Sequence, residues 1–464
     1  MATLGIDGLV SGLDTTTLIN QLMQIEAGPQ TQLKAKQSTT KSFVSALQSL
    51  NVRVASLAEM AAKVAKPESW QAWKATSSST SVTASASGSA QAGSLSFTVD
   101  SVASTQVTLT DVVADDGALA GIPPQITVRT GAGALVTIQP TSGSLADVTK
   151  ALNDAADVGV KATVVRVTNG ETPLYRIQFT GTTTGETDGA FEVFRGDAAA
   201  VEVGTATRID TATVRASSDA QLTLWKGTDA QQVYTQPSNT FTGLMTGVDV
   251  TVSKVTAADE APTTITVAQD TDALKKLGSD LVNSLNVVLS EIASRSAVTT
   301  TTNSDGTTSV KGGLFTGETA VRAIQQQLSE AASYPVDGFS PSVAGITLKK
   351  DGTFTFDEAA FTKAFADDPA KVQTVLAGVA ERVAEVATDV SDKYEGSLTL
   401  KIQGQEGLVK DMGTRIEDWD RRLAVRKEGL QRTYAALEVT MSNLTSQSNW
   451  LAGQLETLNA NWSS

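Results

Sequence analysis

The chain has 464 residues, a length that predicts about three domains. It contains no histidine and no cysteine, which excludes disulfides, thiolate nucleophiles, Cys-based zinc sites and imidazole-dependent catalysis. Its net charge of −14, from 36 basic and 50 acidic residues, argues against nucleic acid or an anionic membrane as the main partner.

The N-terminal residues do not show the charge and hydropathy pattern of a secretory signal. The first basic residue is Lys34, so no charged segment precedes an apolar one, and we do not expect a cleaved secretory signal. The uncharged stretch 75–99 is rich in Ser, Thr, Ala and Gly and is too polar to span a bilayer. From these patterns alone the chain is expected to be cytoplasmic.

The first predicted helix is short and amphipathic. Asp14 or Thr15 can cap it, and it should end near Gly28-Pro29 because proline cannot donate inside a helix. Its apolar face carries Leu18, Leu22 and Ile25.

A second helix is predicted from the apolar stripe between Phe43 and Val64, and it should end before Pro67. Residues 30–42, between the two helices, are almost wholly polar. We expect this segment to order only beside a partner.

From residue 77 to about 270 the apolar pattern has a period of two, which indicates half-buried strands. One short helix is predicted at 145–156, and Asn169-Gly170 predicts a hairpin turn. We expect two β modules, with leading and trailing strands closing one around the other. The predicted strands are 95–99, 106–109, 126–129, 136–138, 160–167, 174–179, 191–194, 222–224, 233–235, 248–255 and 265–267.

Helical patterns return after residue 270, at 271–297 and 317–333, separated by a low-complexity turn at 299–306. Asp351-Gly352 predicts a tight hairpin turn. Asp357 and Asp368-Pro369 are predicted starts of the two helices that follow.

The last sixty residues show the clearest periodicity, and a helix is predicted from about Gly404 to Leu458. Apolar residues recur every three or four positions, as in a coiled-coil seam. The stripe comprises Tyr434, Leu437, Met441, Leu444, Ser448, Leu451, Leu455, Leu458 and Trp462. These helices either pack on each other in one bundle or also bind other chains. A helix of about 50 residues spans about 75 Å, which favours cover from other chains.

Motifs for catalysis are absent from the sequence. It has no P-loop, no dinucleotide-binding glycine motif and no G-x-S-x-G. The acidic pairs Asp115-Asp116, Asp259-Glu260 and Asp367-Asp368 are interpreted as turn and capping residues. Trp70 and Trp73 are interpreted as core or domain-hinge contacts, with a ligand platform as the alternative. We predict no catalytic, cofactor-binding or metal-binding residue and no enzymatic activity.

Motifs along nearly the whole chain resemble the flagellar hook-associated protein 2 family, the filament caps of bacterial flagella. The N- and C-terminal motifs are specific, and the β-rich middle is a weaker match. The matching segments are Leu4-Gly5-Ile6-Asp7-Gly8-Leu9-Val10-Ser11-Gly12-Leu13-Asp14-Thr15, the hook IN-like segment 145–181, Ser238-Asn239-Thr240, Gly345-Ile346 with Asp351-Gly352, and Ile416-Glu417-Asp418-Trp419 to Leu451-Ala452.

The resemblance implies a secreted structural protein at the filament tip, which helps exported flagellin insert in order and prevents its loss. Such caps form ring-like homo-oligomers, commonly pentamers. They leave the cell unfolded through the flagellar type III export channel, without a cleaved signal. A cytoplasmic export chaperone holds the C-terminal helix beforehand. No nucleic acid, cofactor or membrane insertion is implied.

We therefore expect an α+β multidomain fold, with long terminal coiled-coil helices, a helical leg domain and two β-rich head domains, one inserted in the other. The expected segments are 1–35 and 415–464 (terminal leg helices, the first disordered or coiled coil), 36–76 and 271–414 (leg domain), 77–108 and 191–270 (first head domain), and 109–190 (inserted outer head domain).

The partner-binding residues predicted on this basis are Leu18, Leu22, Ile25, Tyr434, Leu437, Met441, Leu444, Leu451, Leu455 and Leu458, as apolar contacts to flagellin, sister subunits or chaperone. Two alternatives are a secreted adhesin, whose Ser/Thr-rich β head would bind host glycans, and an enzyme with an unrecognised carboxylate site.

Overall fold

The computed structural model describes residues 14–114, 119, 124–168 and 173–462, with side chains up to residue 457. The described residues form two compact units. A helical unit holds those up to Trp70 and from Lys275 onward, and a β unit holds Gln71–Leu274. The motif at 4–13 and the predicted turn residues Asp115-Asp116 and Asn169-Gly170 lie outside the described residues, as do the side chains of Leu458 and Trp462.

The elements follow the predicted order of helix, β body and helix. The helical unit begins with α1 (Thr15–Glu26) and α2 (Gly28–Ala65), followed by a 3₁₀ turn at Pro67–Trp70. The β unit contributes β1 (Trp73–Ser77), β2 (Val82–Ala86), β3 (Gly93–Ser101), β4 (Val107–Leu109), β5 (Val113–Ala114), β6 (Ile126–Thr130), β7 (Leu135–Ile138), α3 (Leu145–Asp154), β8 (Val160–Arg166), β9 (Leu174–Gly181), β10 (Phe191–Arg195), α4 (Ala198–Glu202), β11 (Thr207–Arg208), β12 (Ala212–Arg215), β13 (Ala220–Leu224), β14 (Gln232–Gln236), β15 (Thr240–Met245), β16 (Val248–Val252) and β17 (Thr263–Gln269). The chain then continues through α5 (Thr271–Ser296), β18 (Val298–Thr302), β19 (Thr308–Gly312), α6 (Thr319–Ser333), β20 (Ile346–Leu348), β21 (Phe354–Phe356), α7 (Glu358–Asp367), α8 (Pro369–Ser391) and α9 (Ser397–Trp462).

The start of α1 is capped as predicted: Oδ1 of Asp14 accepts the backbone N–H of Thr17 at 2.8 Å. The helix ends at Glu26, and α2 begins at Gly28 with Pro29 in its first turn, where a missing N–H costs nothing. Residues 30–42, which we expect to order only beside a partner, lie within α2, and their polar side chains bind α9 of the same chain.

The core of the helical unit lies between α2 and α8. The predicted stripe on the second half of α2 is fully buried at Leu47, Leu50, Val54, Leu57, Ala61 and Val64. From α8 it meets a matching row, Val372, Val375, Leu376, Val379, Ala380 and Val383. Burial of this periodic face is the main source of stability for α2, since apolar area removed from water contributes about 25 cal/mol per Å².

Three turn and cap predictions in this unit are confirmed. β20 and β21 form the expected hairpin, with Gly352 at φ +84° and Asp351 accepting the N–H of Thr353 at 2.9 Å. Asp357 caps α7 and Asp368 caps α8. The low-complexity turn predicted at 299–306 is confirmed only in its second half. Residues 299–302 belong to β18, which pairs with β19 in an exposed hairpin, and residues 303–306 lie in the turn between the two strands.

Helix α9 spans 66 residues and is longer than the predicted 404–458 at both ends. The expected boundary between leg domain and C-terminal helix, at 414/415, falls inside this continuous helix. Leu398, Ile402 and Met412 are buried in the first part of α9, so the helical unit already includes it.

The first β module consists of two antiparallel sheets. A five-stranded sheet has the order β1-β17-β3-β13-β14, and a three-stranded sheet has the order β15-β16-β2. Their facing sides enclose a core built around Phe97, Leu222, Phe241, Val250 and Ile265.

The second module is inserted between β3 and β13. One sheet has the order β11-β10-β6-β7; in the other, β9 pairs with β4, β5 and β8, and β12 pairs with β4. Helix α3 presents Leu145, Val148 and Leu152 to a core that includes Ile177 and Phe179. The predicted hairpin of β8 and β9 is antiparallel, from Val160 opposite Gly181 to Arg166 opposite Tyr175.

The expected limits of the insertion, 109 and 190, do not coincide with the strand pairing. β4 pairs with β9, and β10 pairs with β6, so both belong to the inserted module. Phe191 and Val193 lie in its core, and the chain returns to the first module only at β13. Alternation of apolar residues identifies a strand but not the sheet that it joins, which is why the boundary was misplaced.

The expected end of the N-terminal leg segment at 76 is also too late. The units divide between Trp70 and Gln71, and β1 belongs to the β unit. Trp70 is buried, and its Nε1 donates to the carbonyl of Val64 at 2.9 Å. Trp73, on β1, packs against the first module's core. Both tryptophans are therefore core residues, not a ligand platform.

Candidate protein-contact surface on the terminal helices

The N-terminal helices lie antiparallel along α9. Gln37 donates to the carbonyl of Val409 at 3.1 Å, and Glu26 pairs with Arg426 at 3.0 Å. Helix α1 therefore lies beside a more C-terminal part of α9 than α2 does. On α1, Ile19 is buried, so one face of this short helix is covered.

The interface between the first half of α2 and α9 is polar. Gln30, 5% exposed, donates to Asp420 at 2.5 Å, and Gln48 donates to Glu406 at 2.9 Å. Sequence reasoning missed these contacts. Their signal was present, because Gln30 and Gln37 are one heptad apart and Gln48 lies eleven residues further on, which places all three on one helix face.

The predicted contact residues lie on α1 and on the second part of α9, and the structure leaves most of them open to solvent. On α1, Leu18, Leu22 and Ile25 are 37%, 36% and 76% exposed. On α9, Tyr434 is half-buried, Leu437 and Met441 are 42% and 37% exposed, and Leu444, Leu451 and Leu455 are 54%, 55% and 64% exposed. Leu458 lies outside the described side chains. Among the described residues, the apolar stripe thus becomes more open towards the C-terminus.

Charged residues become rare in α9 after Arg432, which is the last basic residue of the chain. Ten of the eighteen residues from Arg415 to Arg432 are charged, whereas only Glu438 and Glu456 are charged after it. The exposed stripe is therefore flanked by uncharged side chains, mainly Thr, Gln, Asn and Ala.

The inserted β module contains an open cleft of about 430 Å³, lined by residues that include Arg129, Glu192 and Arg208. Both guanidinium groups are paired with Glu192. Asp210, which is buried, also accepts two hydrogen bonds from Arg208, and these raise the pKa of that arginine. The charges cancel, so the cleft offers no clear anion or cation site. Across the described ranges, no group of three or more acidic residues is placed to hold a metal ion.

Comparisons with known proteins agree with the resemblance noted in the sequence. A relative from Vibrio parahaemolyticus, the lateral flagellar hook-associated protein 2, is 28% identical over 64% of this chain and 65% of its own length. The flagellar hook-associated protein 2 of Escherichia coli strain K12 is 25% identical over 98% of this chain and 99% of its own length.

The fold matches a solved structure of the flagellar cap protein FliD from Escherichia coli, covering its D1-D2-D3 domains. The match has a TM-score of 0.58 at 23% identity and covers 78% of this chain and 99% of that one. Family models for the N-terminus and the C-terminus of flagellar hook-associated protein 2 match residues 11–106 and 217–446. Because the two models together span most of the chain, the protein belongs to the flagellar hook-associated protein 2 family.

Proposed function

We propose that this protein caps the tip of the bacterial flagellar filament, where it promotes ordered insertion of exported flagellin and prevents loss of the subunits. Membership of the hook-associated protein 2 family supports this role, as does the likeness to a solved flagellar cap protein. The observation that carries the mechanism is the open apolar stripe on α9, because a structural cap works by contacts with other chains.

The stripe is the proposed contact surface for three kinds of partner: flagellin, sister subunits of a ring-like homo-oligomer (a pentamer) and a cytoplasmic export chaperone. The proposed contact residues are the ten predicted ones, Leu18, Leu22, Ile25, Tyr434, Leu437, Met441, Leu444, Leu451, Leu455 and Leu458. Their spacing suits a partner helix that packs knobs into holes. Burial of these exposed leucines against a partner would stabilise the complex by about 25 cal/mol for each Å² of apolar area removed from water.

The proposed location is the extracellular filament tip, reached by type III export without a cleaved signal. Within the described part of the chain, none of the helices has the length and hydropathy needed to cross a bilayer. This role includes no catalytic step, so the function rests on contacts alone. The alternative adhesin role receives no support from the relatives, whose names refer to the flagellum.

Charged substitutions in the stripe test this proposal. In the bacterium that carries this protein, we expect L444D/L451D to give short or absent filaments and monomeric flagellin in the medium, because each aspartate blocks an apolar contact. The matched control is Q431D/N449D, which adds the same charge to exposed positions of α9 outside the stripe.

Filament length is measured by electron microscopy, and flagellin and the variant protein in the medium are measured by immunoblot. The second measurement separates failed export from failed assembly. Deletion of 1–35 or of 435–464 should likewise abolish filament growth while the β unit still folds. Normal filaments with the double-aspartate variant and with both deletions would refute the assignment of the stripe.

A further inference from the structure

The part of α9 after Arg432, here called the tail, is nearly free of charge around its whole circumference. Only Glu438 and Glu456 are charged there, and no lysine or arginine follows Arg432. A helix that faces solvent on one side normally concentrates charge on that side. The composition of the tail therefore indicates that it is covered on more than one side when the protein works.

The tail carries a second apolar line besides the stripe. Val439 and Trp450 are 62% and 64% exposed, and small or uncharged residues (Ala436, Asn443 and Ser446) lie between and beside them. At 3.6 residues per turn, this back line is about 150° around the helix from the mean direction of the stripe. The tail thus offers two different apolar surfaces on nearly opposite sides.

The stripe has a gap at Ser448. Serine at this position leaves a space between Leu444 and Leu451, where the heptad pattern calls for a large apolar side chain. Interfaces pack to the density of protein interiors, so a gap of this kind is filled by a large side chain from the partner. The largest exposed side chain on the back line is Trp450. It is two residues from Ser448, a displacement of about 3 Å along the helix axis.

We propose that tails of neighbouring copies of this chain pack side by side, with Trp450 of one copy in the gap at Ser448 of the next. This inference rests on the proposed role as a multimeric cap and names the contact between its subunits. A partner with charged flanks would bury those charges against uncharged residues, at a cost, whereas another tail brings none to that surface. The small axial offset between the two residues suits tails that lie at nearly equal height, as in a closed ring.

The two surfaces differ, so the contact is heterologous. Contacts of this type generate closed rings or open helical arrays, not two-fold dimers. Trp450 acts as the central anchor of each contact, in keeping with the prominence of tryptophan among residues that dominate interface energies.

Single cysteines test the arrangement directly, because the chain has none of its own. Full-length S448C and W450C, each with a different affinity tag, are mixed under an oxidant such as copper phenanthroline. We expect disulfides between the two variants to form faster than disulfides within either one. N449C, an exposed position between the two surfaces, is the matched control and should cross-link slowly with both.

Predominant S448C–S448C disulfides would overturn the proposal in favour of a two-fold seam. Equal rates for all pairs, or no disulfides, would overturn it as well. In a second test, sedimentation of full-length W450A should show self-association weakened about 30-fold, the effect of removing an interface anchor. S448L should weaken it too, by filling the gap. Filament growth is scored separately, so a cap that works without these disulfides refutes this contact and not the capping role.

Discussion

Replacement of Gly396 by alanine is expected to destabilise the helical unit, although alanine normally stabilises a chain relative to glycine. Gly396 lies in the turn between α8 and α9, and a Cβ built there would be 2.5 Å from both the backbone N and O of Asp392. A third backbone atom, the carbonyl oxygen of Val390, would be 2.8 Å away. Backbone atoms in a short turn cannot rotate aside as a side chain can, so the turn itself must shift.

The magnitude follows from two opposing effects. Forcing an extra carbon into a packed site costs about 1–3 kcal/mol, while the lower entropy of the unfolded chain returns about 0.4–1 kcal/mol. The net loss should therefore be about 1–2 kcal/mol. Gly404→Ala is the matched control, because Gly404 lies in exposed helix with no atom within 4 Å of its Cβ position. It should stabilise the unit by about 1 kcal/mol.

Urea unfolding of the full chain, followed by circular dichroism at 222 nm, measures both effects. The β unit has only α3 and α4 among its described residues, of ten and five residues, so the helical signal reports mainly on the helical unit. The two variants should shift the midpoint in opposite directions. Equal midpoints for G396A and G404A would show that the turn yields without cost, and the steric reasoning would then be wrong.

Three further predictions concern the cores and the pH dependence. Gln106→Ala should destabilise the inserted module by about 1–3 kcal/mol, because Gln106 binds both backbone groups of Phe191. The destabilisation should appear as faster amide hydrogen exchange at residues 191–195, which the control Q232A, on an exposed strand, should not show. Leu50→Ala, at a fully buried site, should cost about 2–5 kcal/mol in the same urea assay, while V52A, at a 67% exposed site, should cost less than about 0.5. The chain has no histidine, so its stability should not change between about pH 6 and 8. The backbone N–H groups of Glu395 and Tyr394 lower the pKa of Asp392 in the folded protein. The stability that Asp392 contributes is therefore present above its unfolded-state pKa of about 4 and is lost as the pH falls through the lower folded-state pKa. Loss of this stability at a pH above about 4, measured by urea unfolding at a series of acid pH values, would contradict this.

Elements with a clear period could be predicted from the sequence. The stripe on α2 from Leu47 to Val64 is buried as predicted, and the hairpin at Asp351-Gly352 is where its turn residues place it. These signals are local, because the residues that form the pattern also form the element. The open stripe on α9 is of the same kind, and its residues could be named before their exposure was known.

Contacts between residues far apart in sequence could not be predicted. Three amide side chains each hold both backbone groups of one distant residue, with distances between 2.7 and 3.1 Å. The pairs are Gln106 with Phe191, Asn239 with Ala103, and Asn286 with Phe354. An amide matches a peptide group in donor and acceptor, so it can satisfy backbone that no strand pairs with. In the sequence, these residues look the same as any exposed Asn or Gln.

The misplaced insertion boundary and the polar half of α2 have a common cause. In both, the partner element is more than sixty residues away, and the local pattern does not identify it. Along the helical unit the contacts of α2 change from buried apolar rows against α8 to glutamine hydrogen bonds with α9, and the stripe of the tail beyond them is open. Apolar burial is strongest where the chain packs on itself, and local opening is easiest where contacts are few and exposed. The tail is therefore the part whose packing can be completed by other chains. The glutamine contacts that precede it along α9 hold α2 and α9 together without committing the stripe to a partner in the same molecule.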